Sequence, residues 1–297
     1  MPADAMEYTM RESPTPPAVV VGIDGSRMAL GAALWAVDEA VSRDVPLRLL
    51  CAVDQHNEKF DPHGAAQMAA SAEAAVRYAF TVNKAPDKLV KIEVEITQGG
   101  SAVGTLIHAS RSAALLCVGA VGFNHFQPGR VGSTAAALAA QAHCPVAVIR
   151  HHDGPARRDR GVIVVVVDQS PDDGCLLETT MKEARLRQSP VRVVTGWHSR
   201  STGVHDNRAV GEGNRRLRAE LDRRLMRWSR RYPDVEVTSV PVHGSVVSYL
   251  AKNSESVQLV IVSARDRGDV KNLVGPSGDT ALHHSNCSVL IVGRQHL

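Results

Sequence analysis

At 297 residues the chain is too long for one ordinary domain, and two are the starting expectation. Its 44% apolar and 22% charged residues describe a globular protein, and the 4% aromatic share leaves the cores to Val, Leu, Ile and Ala. A formal charge of +3 argues for no nucleic-acid partner, and no run approaches the roughly 20 apolar residues of a membrane span.

Residues 1–17 are acidic and proline-containing with no apolar core. They read as a disordered leader rather than a signal peptide, which implies a cytoplasmic protein. The first domain is expected over residues 18–150. "AVVVGI" is a strand ending beside Asp24, and Ser26 caps a helix over 26–43 with Leu30, Leu34, Val37 and Val41 on one face. "PLRLLCAV" is a second strand ending at Val53, followed by a long helix through "AAQMAASAEAAVRYAF". "KLVKIEVEI" is a third strand, "SAVGTLIHASRS" a helix and "ALLCVG" a fourth strand ending at Gly119. A glycine-bearing loop, the helix "GSTAAALAAQA" and the strand "PVAVIR" complete the unit. Cys51, Cys117 and Cys144 fall in or beside strands, with no CxxC pair, and read as buried apolar residues.

"HHDGPARRDR", residues 151–160, is a polar linker, and the pattern then repeats over 161–297. "VVVGIDGS" at 19–26 returns as "VVVVDQS" at 164–170. Asp24 and Asp168, Glu39 and Glu183, Pro46 and Pro190, and Gly100 and Gly244 all stand 144 residues apart. After one deletion Gly132 meets Gly275 and Cys144 meets Cys287. The chain is a tandem duplication. Strands alternating with helices make each copy a doubly wound, Rossmann-like α/β unit with a five-stranded parallel sheet.

Ligands of such sheets bind beyond the carboxyl ends of the strands, where strand order reverses. Asp24, Val53 and Gly119 are expected to meet there. Gly119 permits a sharp turn, and Gly122 lets backbone amides approach a ligand. Gly132 opens a helix whose first N–H groups suit a phosphate, with Ser133 and Thr134 adding hydroxyls and Arg130 a charge. The plainer alternative is a strand-to-helix turn followed by a capped helix.

The combination of Gly119, Gly122, Gly132 and Ser133 at spacings of two and nine, with the "VVVGIDGS" opening and the "AHCPVAVI" ending, resembles the ATP-binding branch of the universal stress protein family. The likeness covers both copies. It implies that Asp24 lies beside adenosine, with Gly22 and Val53 lining the base. It also implies that Gly119 and Gly122 wrap ribose and phosphates, and that Gly132, Ser133 and Thr134 hold the phosphate tail. In the second copy Ser263 replaces Gly119, Asp266 replaces Gly122 and Pro276 replaces Ser133. Asp266 would repel a phosphate, so that site is expected to be degenerate and structural.

No GxxxxGK(S/T) loop or kinase-like set occurs, so no catalytic residue and no metal ligand is assigned. Asp24 offers a carboxylate to Mg²⁺ accompanying ATP. His125 in the loop reads as solvated rather than as a base, and the pairs His151–His152 and His283–His284 lack further ligands. The expected function is an ATP-binding stress-response regulator. The alternatives are a weak ATPase or phosphotransferase, or an interaction module that has abandoned nucleotide. "PVAVIR" and "SVLIVGR" are apolar, open edge strands expected to join the two copies as an intramolecular pseudo-dimer, with homodimerisation as a further consequence. "NRRLRAELDRRLMRWSRRY" is a basic helix with an apolar stripe of Leu217, Leu221, Leu225 and Trp228, read as a solvated face, with a patch for nucleic acid or an acidic partner as the alternative.

Overall fold

The computed structural model describes residues 16–53, 62–82, 90–122, 131–150, 161–168, 173–198, 207–274 and 287–293. The leader up to residue 15, the linker 151–160, and His125, Arg130, Pro276 and His283–His284 lie outside the described residues. The first copy contains β1 (Val19–Gly22), α1 (Arg27–Arg43), β2 (Leu47–Val53), α2 (Pro62–Val82), β3 (Ile92–Gln98), α3 (Ala102–Ala109), β4 (Leu115–Gly119), α4 (Ser133–Gln141) and β5 (Val146–Ile149). The second contains β6 (Val162–Val166), α5 (Gly174–Arg187), β7 (Val191–Trp197), α6 (Asn207–Arg231), β8 (Val237–His243), α7 (Val246–Asn253), β9 (Val257–Ser263), α8 (Arg267–Val274) and β10 (Ser288–Val292).

Within each copy the strands pair in parallel, in the order β3-β2-β1-β4-β5 and its counterpart β8-β7-β6-β9-β10. Apolar runs such as β4 and β5 are buried on both faces, as parallel strands covered by helices must be. The crossovers to either side of β1 place the reversal of strand order between β1 and β4. β5 and β10 then pair antiparallel, Val148 opposite Val289 and Val146 opposite Ile291. One ten-stranded sheet results. The two final strands are edges of their own five-stranded units and the centre of the whole.

Ser26 caps α1 as expected, its side chain accepting from the Ala29 N–H. The expected stripe on that helix needs correction. Leu30, Leu34 and Val41 are only partly buried, while Ala29, Ala32, Ala33, Ala36 and Ala40 form the buried face with Val37. Small side chains let the helix come close to the sheet, and a Cβ at Gly119 of β4 would lie 2.7–2.8 Å from the helix backbone. Asp44 and Gln188, at corresponding places, end α1 and α5 in the left-handed conformation.

Cys51, Cys117 and Cys144 are buried as read, Cys287 is buried as well, and Cys175 is exposed. No helix among the described residues is long and apolar enough to cross a membrane.

Candidate functional site: the crevice between β1 and β4

The carboxyl end of β1 delivers Gly22 and Asp24. The Asp24 carboxylate accepts the Ser26 N–H at 2.9 Å, bracing the turn into α1. Its other oxygen lies where a side chain at Gly122 would begin, 2.7 Å from a Cβ built there. Asp24 and Gly122, nearly a hundred residues apart, are in contact. A Cβ at Gly132 would lie 3.6 Å from the Gly122 nitrogen, so the chain returns to the same spot to begin α4. Asp24, Gly122 and Gly132 are therefore brought together.

The glycines differ in what requires them. A side chain at Gly119 would strike backbone atoms of Met28 and Ala29 at 2.7–2.8 Å. Gly119 is explained by the close approach of α1, without reference to any ligand. Gly122 meets only the end of one side chain, so its bareness preserves the open space around Asp24. At Gly22 the neighbours are the side chains of Leu106 and Val118 at 3.2–3.3 Å.

α4 supplies the anion-facing element. Gly132 is its N-cap, with extended backbone and no side-chain cap. Its own N–H is already used, donating to the Ala120 carbonyl at 2.7 Å. That corrects the expectation that the Gly132 amide is one of the free donors. The donors left at the helix start belong to Ser133, Thr134 and Ala135, and the exposed Ser133 and half-buried Thr134 carry their hydroxyls beside them. Together with the positive end of the helix dipole they make a site for a negative group.

Val53 is buried at the end of β2, and its carbonyl accepts the Gly99 N–H at 3.3 Å. It belongs to the sheet face that α1 and α2 cover. Its neighbour Cys51 has its thiol pushed up to about 11, first by burial and then by the charge of Asp24. That coupling places β2 within electrostatic reach of Asp24. Two residues escaped the sequence reading. Gly25 holds φ +80°, and the Met68 sulfur of α2 lies 2.8 Å from where its Cβ would be. The D-G dipeptide was a signal for the turn. Nothing local singled out Met68.

The corresponding crevice of the second copy is built differently. Asp266 stands in the place of Gly122 and caps a helix, its carboxylate accepting the Asp269 N–H at 3.1 Å. That helix, α8, occupies the stretch that aligns with the glycine-bearing loop expected in the first copy. Val270, Leu273 and Val274 bury its apolar side, and it packs on α4 of the first copy. Arg150, at the end of β5, donates to the Leu273 carbonyl at 3.3 Å. Arg224 of α6 reaches the crevice as well, donating to the Asp168 carbonyl and the Asp173 carboxylate, both at 3.2 Å. Burial raises the Asp173 carboxyl above its ordinary range, and Asp168 adds to it against the opposing charge of Arg224. At the position corresponding to Val53 stands Trp197, its indole N–H donating to Asn214 at 2.8 Å and its ring edge-on to His243.

The model of the universal stress protein family matches residues 17–150 and again residues 160–293. The chain belongs to the universal stress protein family. It is 54% identical over 289 residues to universal stress protein Rv2028c of Mycobacterium tuberculosis, covering 97% of this chain and 100% of that one. To universal stress protein Rv2624c of the same organism it is 39% identical over 284 residues, covering 96% and 99%. A universal stress protein from Archaeoglobus fulgidus has a solved structure that superposes with TM-score 0.58 at 17% identity, covering 94% of this chain and 97% of that one. A functionally unknown protein from Pseudomonas aeruginosa superposes with TM-score 0.56 at 15% identity, covering 94% and 93%. At those identities the two structures show a shared fold. Universal stress proteins thus account for both copies and for the α/β architecture.

Proposed function

We propose that this universal stress protein binds ATP in the crevice between β1 and β4 of its first copy, and acts through occupancy rather than turnover. The observation that carries the reading is the junction of Asp24, Gly122 and the uncapped start of α4. A carboxylate able to accept from a ribose or adenine group faces one end of the crevice. Amides and hydroxyls able to receive phosphate stand at the other. Gly22, Asp24 and Val53 would hold the nucleoside, Gly119 and Gly122 the ribose and first phosphates, and Ser133 and Thr134 the tail. Gly132 would contribute the bend that aims α4, and Arg130 an outer charge. Mg²⁺ would accompany the phosphates, with Asp24 as the nearest carboxylate.

Regulation by occupancy follows from the site's chemistry. It gathers donors for a bound anion, and the sequence holds no P-loop lysine to act on the γ-phosphate. A cytoplasmic stress-response regulator, self-associating through its remaining open edges, is the reading this supports. The test is to release and quantify nucleotide from the purified chain, then titrate ATP calorimetrically. One adenine nucleotide per chain is expected, lost in Gly122→Leu, with phosphate release no faster than in Asp24→Ala. Two per chain, or none in a well-folded preparation, would overturn it.

A further inference from the structure

The near-neutral total charge conceals a segregation. α6 carries nine arginines and no lysine against Glu212, Glu220 and Asp222, a net charge of +6 on one helix. Since the whole chain is at +3, everything outside α6 totals −3. The helix is 25 residues long, about 37 Å at the usual rise. Leu221, Leu225 and Trp228 bury its inner face in the core, and the outer face is solvent-exposed.

Three of the arginines are engaged with carboxylates: Arg208 with Glu212, Arg224 with Asp173 and Arg231 with Glu178. The other six are Arg215, Arg216, Arg218, Arg223, Arg227 and Arg230. All are exposed, and none has a carboxylate partner among the described residues. Arg223 donates only to the Ala219 carbonyl of its own helix, and Arg227 lies over the Trp228 ring. Arg216, Arg223 and Arg230 recur every seven residues, with Arg227 between the last two. They form one row opposite the buried leucines, at intervals of about 10 Å.

We infer that this row is a docking surface for the phosphate backbone of a nucleic acid. Three physical arguments select that partner. The guanidinium fork matches phosphate geometry, and the helix uses arginine exclusively. A protein partner would need an apolar centre to its interface, but the outer face offers one large apolar side chain, Met226 at 51% exposure. An anionic bilayer would gain hold by taking up an apolar face, but that face of α6 is already spent in the core. A long, regularly spaced cationic row on a rigid, polar support suits a polymer of regularly spaced anions, whose interfaces are polar and basic. The inference does not depend on nucleotide binding in the first copy, because α6 belongs to the second.

The experiment measures binding of the full-length protein to a short labelled DNA duplex and to a single-stranded RNA by fluorescence anisotropy, across a salt series. Vesicles containing phosphatidylserine provide the lipid arm. For the duplex, engagement of four phosphates predicts a log–log salt slope of about −3.6 and a loss of about a hundredfold between 50 and 200 mM salt. The variant R216Q/R223Q/R227Q/R230Q, exposed at every position and checked for unchanged thermal unfolding, should lose at least tenfold in low-salt affinity and most of the slope. R111Q, an exposed arginine elsewhere, should leave both unchanged. The duplex and RNA arms decide which nucleic acid is preferred. Absence of binding to both at low salt, equal binding by the quadruple variant, or binding to vesicles alone would overturn the inference.

Discussion

Arg187 of the second copy donates to Glu39 of the first at 2.6 Å, across the junction of the duplicated units. Arg43 reaches back to Glu183 at 3.5 Å, and within each helix Arg43 meets Glu39 at 2.7 Å and Arg187 meets Glu183 at 2.6 Å. Glu39 and Glu183 are repeat-related, as are Arg43 and Arg187, so the four form a ring with the symmetry of the duplication. Both carboxylates are buried, and the Arg187 guanidinium also lies 4.5 Å over the Trp35 ring. Breaking such a ring costs more than forming it gains, because the remaining charges stay buried. Glu39→Ala should therefore destabilise the chain by about 3–5 kcal/mol. Replacing all four by apolar residues of similar volume should recover most of that. Chemical denaturation of the two variants makes the comparison.

The same ring predicts a pH dependence. Burial pushes the Glu183 carboxyl up to about 8, against the pull of Arg187 and with the help of Glu39. A carboxyl raised in the folded state binds its proton more tightly there than in the unfolded chain. Its contribution is fully present below the unfolded value, about 4.3, and is lost as pH rises through the folded one. Stability should fall between about pH 5 and 8, by at most about 1.4 kcal/mol per unit from this group. Glu183→Gln should flatten that slope in unfolding curves collected across the range.

Gly119 and Gly122 should separate packing from binding. Gly119→Ala drives a methyl into the backbone of α1 and should cost about 2–3 kcal/mol. Gly122→Ala meets only the Asp24 carboxylate and should leave the melting temperature within a few degrees while weakening ATP affinity. Equal destabilisation by both would return Gly122 to a purely structural role.

Asp266 should behave as a helix cap. Asp266→Ala removes the acceptor for the Asp269 N–H and should cost about 1 kcal/mol, without creating a second nucleotide site. Asp266→Asn should keep most of the stability. It should also lower the Asp269 carboxyl, which burial and then Asp266 now push up to about 6. Calorimetry and NMR titration of the Asp269 side chain read the two effects.

The sequence alone determined the duplication, the alternation of strand and helix, and the cap at Ser26. Each depends on residues within a few turns of one another, or on a repeated word that needs no coordinates to see. Tertiary structure decided the rest. The apolar period of α1 pointed to its leucines, yet the sheet took its alanines, because depth of burial depends on how closely the neighbouring layer approaches. The segment 267–274 aligns with the loop expected in the first copy. It folds as α8 because Asp266 caps it and α4 of the other copy covers its apolar side. The meeting of Glu39 with Arg187 lay beyond any local pattern, since it arises only when β5 and β10 pair and bring α1 against α5. Local chemistry chooses the elements, and which surfaces they bury is settled by partners more than a hundred residues away.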